Sequence, residues 1–336
     1  MKIRLLLVTA LLFVTFGPGC AEAQRSKLPL QLVADVPLTG NATRLDYQSP
    51  DAQTGRLYIA HLGDDMVTVF DTKTQKIVGD VKDLKRVHGV VAVPELHRIY
   101  ASATGTNELA VIDDQTLQVI ARVPAGDYPD GIAYASKEKK LYVSDLRGKS
   151  ETIIDAVTNK PVVTIALNAP AGNTQYDAFT DHIFVAVHKL NAIIEIDPTS
   201  DRIVGTYPLA GCEDAHGLLI DGVNRFAFAA CEANAKLAMF DLKTKKLVAI
   251  YPVGDDPDVL AFDSNFGRLY VSAESGVLTI LDEKKGTLET IGKDFYATKA
   301  HTVAVDSATH LVYLPLESLN GKPVLRIVLP SDRGVQ

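Results

Sequence analysis

Aspartate and histidine recur at one position of this sequence, where they could bind a metal ion or a polar ligand. The position lies eleven or twelve residues before a recurring marker residue, usually Tyr, and its occupants are Asp46, His88, Asp130, His216, Asp258 and His301. In one shorter repeat, Asn173 or Thr174 takes this place. Imidazole and carboxylate groups are good ligands for Zn, Cu, Ni or Fe, and three ligands with an open position suit catalysis. We call the six Asp and His residues the ring residues.

A second polar set follows the markers by three or four residues. Its members are His61, Asp145, His188, Cys231, Glu274 and Glu317. If the two sets lie at the same face, five histidines surround one opening, and these are the candidate metal ligands: His61, His88, His188, His216 and His301. The competing interpretation is structural, because Asp-Gly and His-Gly pairs such as His88-Gly89 are typical of turns and can cap nearby backbone.

Basic residues lie two positions before some ring residues. They are Arg44, Arg86 and Lys299, whereas Asp214 and Asp256 occupy the matching places in other repeats. One side of the opening is therefore predicted to be cationic, and it could bind a carboxylate or phosphate through charge-assisted hydrogen bonds. Ordinary surface charge explains the same residues about equally well. The candidate ligand-binding set consists of the six ring residues with Arg44, Arg86 and Lys299.

These residues are positioned by a repeat that runs through the chain. The marker residues are spaced 42 or 43 residues apart, at Tyr58, Tyr100, Tyr142, Phe184, Ala227, Tyr270 and Tyr313. An aspartate that ends an apolar run recurs every 41 to 44 residues, at Asp71, Asp113, Asp155, Asp197, Asp241 and Asp282. Each unit holds four short β-rich runs separated by turn residues. Four strands at this period predict an all-β, seven-bladed propeller.

The two ends of the chain predict how the propeller closes. The last unit stops after three strands, while the run from Leu30 to Gly40 has the pattern of a fourth strand with no strands before it. We expect this N-terminal strand to complete the last blade, which removes two exposed sheet edges. No linker divides the sequence, so residues 24–336 are predicted to form one domain.

The first 23 residues have the features of a secretory signal peptide. Lys2 and Arg4 precede a short apolar run, and cleavage after Ala23 fits the small-residue rule. Lipidation at Cys20 is a weaker alternative. The apolar run is shorter than the roughly 20 residues that span a bilayer. We therefore expect a periplasmic or secreted protein without a membrane span.

Composition and missing motifs narrow the function. The net charge of −7 over 336 residues disfavours nucleic acid as a partner. The chain lacks Trp, CxxCH, HExxH, GxGxxG, a phosphate-binding GxxxxGK[ST] and GxSxG. Cys212 and Cys231 remain after processing, and export favours a disulfide between them. A metal site of Cys212, His216 and Cys231 is the alternative.

Runs such as KLYVS and RLYVS, each followed by an apolar run ending in Asp, resemble the YVTN β-propeller repeat. The resemblance covers roughly residues 30–330, and Ala227 departs from its usual aromatic residue. It implies a seven-bladed fold of the exported, YncE-like type, but no specific activity.

The function we favour is an exported, monomeric binding or scaffold protein that holds a small molecule, metal or protein at the channel mouth. The alternative is a metal-dependent hydrolase or lactonase that uses the Asp and His ring. A weaker third hypothesis is a copper-handling or electron-transfer protein. A divalent transition metal is the only cofactor that the sequence points to, and whether the protein is an enzyme stays open.

Overall fold

The computed structural model of the protein describes residues 28–332, which form seven four-stranded antiparallel sheets. The predicted signal peptide, with Cys20 and Ala23, lies outside the described residues. Within each sheet the strands follow chain order from the innermost to the outermost, except in the last sheet.

The first four sheets are blades one to four. Blade one contains β2 (Gln48–Asp51), β3 (Arg56–His61), β4 (Met66–Asp71) and β5 (Lys76–Val81). Blade two contains β6 (Val87–Val93), β7 (Arg98–Ala103), β8 (Glu108–Asp113) and β9 (Val119–Pro124). Blade three contains β10 (Pro129–Ala135), β11 (Lys140–Asp145), β12 (Ser150–Asp155) and β13 (Lys160–Ala166). Blade four contains β14 (Ala171–Asp177), β15 (His182–Val187), β16 (Ala192–Asp197) and β17 (Arg202–Pro208).

The remaining three sheets complete the ring. Blade five contains β18 (Ala215–Asp221), β19 (Phe226–Cys231), β20 (Lys236–Asp241) and β21 (Lys246–Pro252). Blade six contains β22 (Pro257–Asp263), β23 (Arg268–Ala273), β24 (Val277–Lys284) and β25 (Thr287–Phe295). Blade seven contains β26 (Ala304–Asp306), β27 (Leu311–Leu319), β28 (Lys322–Pro330) and β1 (Leu30–Pro37).

The ring closes through the N-terminal strand, as the sequence predicts. β1 pairs antiparallel with β28, from Leu30 opposite Pro330 to Pro37 opposite Val324. Arg326 on β28 also donates two hydrogen bonds of 2.6 and 2.7 Å to the carboxylate of Asp35 on β1. The innermost strand of each blade contacts the innermost strands of both neighbouring blades, including β2 against β26. The predicted seven-bladed propeller is confirmed.

The marker residues form the core between blades. All seven are essentially inaccessible to solvent. In the cluster between blades one and two, Tyr58 and Val69 pack with Val90 and Ile99. The recurring aspartates have a different task, because Asp71, for example, accepts hydrogen bonds from the backbone N–H groups of Lys73 and Thr74 and so caps the β4–β5 turn.

Helix is scarce in the described part of the chain. Residues 28–332 contain four single-turn 3-10 helices, at Leu62–Asp64, Pro94–Leu96, Thr104–Thr106 and Glu232–Asn234. Over the same residues, no helix has the length and apolar character needed to cross a bilayer.

Candidate functional site

The backbone before each innermost strand determines the direction in which the side chain of the ring residue points. Two positions before five of the six ring residues the backbone is left-handed, with φ of 49° at Arg86, 63° at Tyr128 and 55° at Asp214. In four blades the strand pairing then shifts across the ring residue, for example between Val87 and Val90 in β6. Such a bulge bends the strand and turns a side chain out of the regular alternation.

The glycines after the ring residues serve close packing between blades. A Cβ on Gly89 would overlap the backbone oxygen of Asp130, and one on Gly217 would overlap that of Asp258. Only glycine lets neighbouring innermost strands approach this closely. The His-Gly and Asp-Gly pairs therefore have a structural glycine, while the residue before it remains available to the channel.

A cavity of about 160 Å³ opens where the innermost strands begin, and we call it the mouth cavity. Its lining includes six residues of the predicted ligand-binding set: Arg44, Asp46, His88, Asp130, His216 and Asp258. Glu274, from the second polar set, also lines it. The other lining residues are Tyr47, Tyr128, Leu146 and Glu232.

The mouth cavity is rich in carboxylates. Asp46, Asp130, Glu232, Asp258 and Glu274 all line it. Arg44 is already paired, since its guanidinium lies 3.2 Å from Asp46 and 2.6 Å from Glu274. Burial opposes the charge on Arg44, but these two carboxylates raise the pKa of its guanidinium. Arg44 therefore offers little unbalanced positive charge to a ligand.

Two of these carboxyl groups are held in unfavourable surroundings. Asp130 is buried, and its Oδ1 has no hydrogen-bond partner among residues 28–332. Burial raises the pKa of the Asp130 carboxyl despite the opposing effect of His88 and His216. Burial likewise raises the pKa of Glu232 to about 7. Both groups would be stabilised by a ligand that brings positive charge or hydrogen-bond donors.

Three histidines and Asp258 form a continuous polar chain along one wall. His188 Nε2 lies 2.9 Å from His216 Nδ1, and His216 Nε2 lies 3.3 Å from Asp258 Oδ1. His301 bonds Asp258 through Nδ1 and the Leu45 carbonyl through Nε2, both at 2.8 Å. Because both of its partners are acceptors, His301 donates from both ring nitrogens.

The charges of the three histidines in this polar chain follow from their burial and from the carboxylate of Asp258. Burial would lower the pKa values of His216 and His301, but Glu232 and Asp258 raise that of His216 to about 10, and Asp258 raises that of His301 to about 9. Burial and the charge of His216 lower the pKa of His188 to about 4. Hydrogen bonds from His216 and His301 hold the pKa of Asp258 well below its usual range, although burial acts the other way. His216 thus donates its Nδ1–H to His188.

His88 lies elsewhere on the rim of the cavity. Its Nδ1 donates to the Arg86 carbonyl at 2.9 Å, and its Nε2 lies 3.1 Å from the hydroxyl of Tyr128. The alternative interpretation of the sequence, that this side chain caps nearby backbone, thus applies to Nδ1 of His88. The opposite side of the imidazole ring contributes to the lining of the cavity.

Five predicted site residues are not in the lining of the mouth cavity: His61, Arg86, His188, Lys299 and His301. His188 and His301 reach it only through their contacts with His216 and Asp258. Arg86 and Lys299 are exposed at left-handed positions of their loops and are not in the lining. His61 is fully buried in blade one, where its Nε2 lies 3.0 Å from Thr43 Oγ1 and burial lowers its pKa. The expected cationic side is therefore represented in the cavity by Arg44 alone. Asn173 and Thr174 line a second cavity, of about 310 Å³, that Tyr47 also borders.

The predicted disulfide is confirmed. Cys212 and Cys231 are bonded to each other, so their sulfur atoms are not free to hold a metal with His216. The bond fastens two segments of the wall, because Cys212 lies two residues before Asp214 and Cys231 lies directly before Glu232.

Sequence reasoning missed Tyr47, Tyr128 and Glu232. Tyr128 had a usable signal, because it occupies the same repeat position as Arg86 and Lys299. Tyr47 directly follows a ring residue. Glu232 directly follows Cys231, in the loop after the marker strand. It contacts His216, which lies on the neighbouring strand β18, so no local sequence pattern indicates its place in the site.

Comparisons with known proteins agree with this architecture. No family model matches the chain. The uncharacterized protein YncE of Salmonella typhimurium is 23% identical over 245 residues, which cover 67% of each of the two chains. The YncE protein of Salmonella typhi has the same identity and coverage.

Solved structures share the fold at low identity. A chain of Kuenenia stuttgartiensis hydrazine synthase superposes with a TM-score of 0.73 at 17% identity, covering 90% of this chain and 97% of its own. The structure of U3-55K gives a TM-score of 0.75 at 9% identity, covering 88% of this chain and 98% of its own. These likenesses show the fold alone. The sequence relatives and the seven closed blades show that the chain is similar to the YncE-like β-propellers.

Proposed function

We propose that this propeller is an exported binding protein whose mouth cavity holds a small ligand carrying positive charge. The observation that carries the proposal is the buried Asp130 carboxylate, which lines the cavity and has an oxygen without a hydrogen-bond partner among residues 28–332. The predicted signal peptide and the Cys212–Cys231 disulfide support export, because disulfides persist in oxidising compartments.

The charge balance of the cavity favours a cation over an anion. Five carboxylates line it, whereas Arg44 is neutralised by Asp46 and Glu274. An anion would meet these carboxylates, while Arg44 is engaged with two of them and the protonated His216 and His301 share Asp258. An ammonium group can donate three hydrogen bonds, and those to carboxylates are charge-assisted and strong.

The size of the cavity limits the ligand to a few heavy atoms. Its volume of about 160 Å³ equals that of roughly five water molecules at about 30 Å³ each. Small primary amines fit this description. The hydrolase alternative needs a bound metal.

Calorimetric titration of the mature protein with small primary amines, such as methylamine and ethanolamine, tests the proposal. Asp130→Asn keeps the side-chain shape and removes its charge. We expect it to weaken amine binding about 10- to 100-fold, since hydrogen bonds to charged groups contribute about 1.5–3 kcal/mol. Asp83→Asn, at an exposed loop position, is the matched control and should leave the affinity unchanged. Binding of acetate in place of amines, or equal amine affinity in both variants, would refute the proposal.

A further inference from the structure

One wall of the mouth carries three side chains of metal-binding type from two neighbouring blades. His188 follows β15 of blade four, while His216 lies in β18 and Glu232 follows β19 of blade five. One ligand atom from each of the three lies within 4.8 Å of the other two. Both histidines are buried, and Glu232 is partly buried.

The spacing of the two histidines is close to that of a coordinated pair. His188 Nε2 and His216 Nδ1 are 2.9 Å apart. Two nitrogens bound tetrahedrally to zinc at about 2.0–2.1 Å are about 3.3 Å from each other. Widening this distance by about 0.4 Å and turning both rings, so that the two lone pairs meet at one point, would admit an ion. Glu232 now lies beside the other nitrogen of each ring, at 3.8 Å from His216 Nε2 and 3.9 Å from His188 Nδ1, so its side chain must turn toward the ion to complete the site.

The outward-facing nitrogen of His216 has the partners expected behind a metal ligand. Its Nε2 lies 3.1 Å from the Tyr47 hydroxyl and 3.3 Å from Asp258 Oδ1. A histidine that binds a metal through one nitrogen usually donates the other N–H to a carboxylate or similar acceptor, which fixes the ring. The disulfide at Cys231 fastens the start of the loop that carries Glu232.

A second cluster, Asp258, Glu274 and His301, has similar spacing but fewer available ligand atoms. Both ring nitrogens of His301 are already bonded, to Asp258 and to the Leu45 carbonyl. Glu274 is paired with Arg44 at 2.6 Å. Binding a metal there would break a contact of His301 and the ion pair of Glu274, whereas at the first cluster it replaces one hydrogen bond, that between His188 and His216. The first cluster is therefore the better site.

We propose that His188, His216 and Glu232 bind one divalent transition metal ion of the zinc type. Two imidazoles and one carboxylate form a ligand set that is known for zinc, with a fourth position for water or a ligand. This site goes beyond the proposed amine binding, because it does not use Asp130 and because His188 is not in the cavity lining.

Zinc titration and elemental mass spectrometry of untagged mature protein, with the disulfide intact, test the inference. We expect one Zn²⁺ per chain and, after Co²⁺ substitution, the visible absorption of a tetrahedral ion. Glu232→Gln and His188→Ala should each weaken zinc binding at least tenfold. His97→Ala, which removes an exposed histidine outside the cluster and outside the cavity lining, should bind zinc as the wild type does.

The outcomes separate this inference from the proposed function. Glu232 is partly exposed, so Glu232→Gln tests the site even if His188→Ala fails to fold. Failure of the folded wild type to bind zinc at micromolar concentration, or full binding by Glu232→Gln, would overturn the metal site. Zinc binding without amine binding would refute only the proposed function, and amine binding without zinc would refute only this inference.

Discussion

Asp145 and Glu151 are two fully buried carboxyl groups in blade three. Asp145 accepts hydrogen bonds from Ser150, Thr152 and the Gly126 N–H, yet burial raises its pKa to about 6. Glu151 accepts one bond of 2.7 Å from Ser144, and burial raises its pKa well above the usual range. Its Oε2 has no hydrogen-bond partner among residues 28–332. The folded protein therefore holds protons that the unfolded chain releases.

This predicts that stability falls as pH rises. A carboxyl group whose pKa is raised in the folded state stabilises the fold at pH values below its pKa in the unfolded chain, near 4. This contribution is lost as the pH rises through about 6 for Asp145 and through a higher value for Glu151. At pH 8, Glu151→Gln should unfold at a higher urea concentration than the wild type. Its free energy of unfolding should be greater by about 1 kcal/mol or more, because a pKa difference of one unit corresponds to about that much free energy. At pH 4 the two should be similar.

Urea unfolding between pH 4 and pH 8 makes this comparison. Glu289→Gln is the matched control, since Glu289 is exposed on β25. A Glu151→Gln curve that runs parallel to the wild type over the whole pH range would show that Glu151 is ionised in the fold.

The histidines show how far sequence reasoning reaches at the residue scale. His61 and His188 lie three and four residues after their marker residues, yet only His188 meets a ring residue, His216. In blade one, Thr43 and Asp64 occupy the surroundings of His61 instead. The repeat register predicts which loop a residue occupies. It does not predict which neighbour its side chain meets, because that depends on contacts between loops of different blades.

At the scale of elements, the marker tyrosines connect blades. The hydroxyl of Tyr142 on β11 donates to Asp201 in blade four at 2.6 Å, and that of Tyr100 on β7 donates to the Ala156 carbonyl in blade three at 3.0 Å. The hydroxyl of Tyr313 is buried without a hydrogen-bond partner among the described residues. Identical markers in the repeat thus differ in what their hydroxyls contribute.

Tyr142→Phe and Tyr313→Phe form a matched pair. The first should lower the free energy of unfolding by about 1–3 kcal/mol, because it removes a buried hydrogen bond to a charged group. The second removes a hydroxyl without a partner and should change stability by less than about 0.5 kcal/mol. Urea unfolding of both variants measures the difference. Equal losses in the two would show that the hydroxyl of Tyr142 does not stabilise the contact between blades three and four.

The strands could be predicted because the same sequence pattern recurs in all seven repeats. Alternating apolar residues, turn residues and the aspartate caps of turns such as β4–β5 all act within a few residues of one another. Asp282 is an instructive exception, because it accepts a 2.8 Å hydrogen bond from Arg268 in the same blade. Asp282 has the same regular spacing in the sequence as the other aspartates, but its side chain bonds to Arg268 on the neighbouring strand β23.

At the scale of the whole molecule, closure depends on β1. A chain that begins at Leu38 lacks this strand and exposes the edge of β28. If roughly four ladder hydrogen bonds are lost at about 1 kcal/mol each, stability falls by about 4 kcal/mol. The salt bridge between Asp35 and Arg326 is lost as well.

Thermal unfolding of this shortened chain, compared with the chain from Gln24, checks the prediction. Gln31→Ala, an exposed substitution on β1, should leave the midpoint unchanged. An unchanged midpoint in the shortened chain would mean that β1 does not contribute to the stability of blade seven.

The number of blades and their closure could be read from the sequence, whereas the charge of the mouth could not. Arg44, Arg86 and Lys299 share one repeat position, but only Arg44 reaches the cavity, and there Asp46 and Glu274 pair with it. The anionic character emerges only when carboxylates from the ring and from the loops after the second strands are brought around one volume.

A crystal structure of the mature protein soaked with ethanolamine is the most direct test of the central claim, that the mouth cavity binds a cation. We expect an ammonium group in the cavity within hydrogen-bond distance of Asp130 Oδ1, the buried oxygen that has no hydrogen-bond partner among residues 28–332. An anion from the solution bound to Arg44 in the same cavity, with the amine absent, would contradict it.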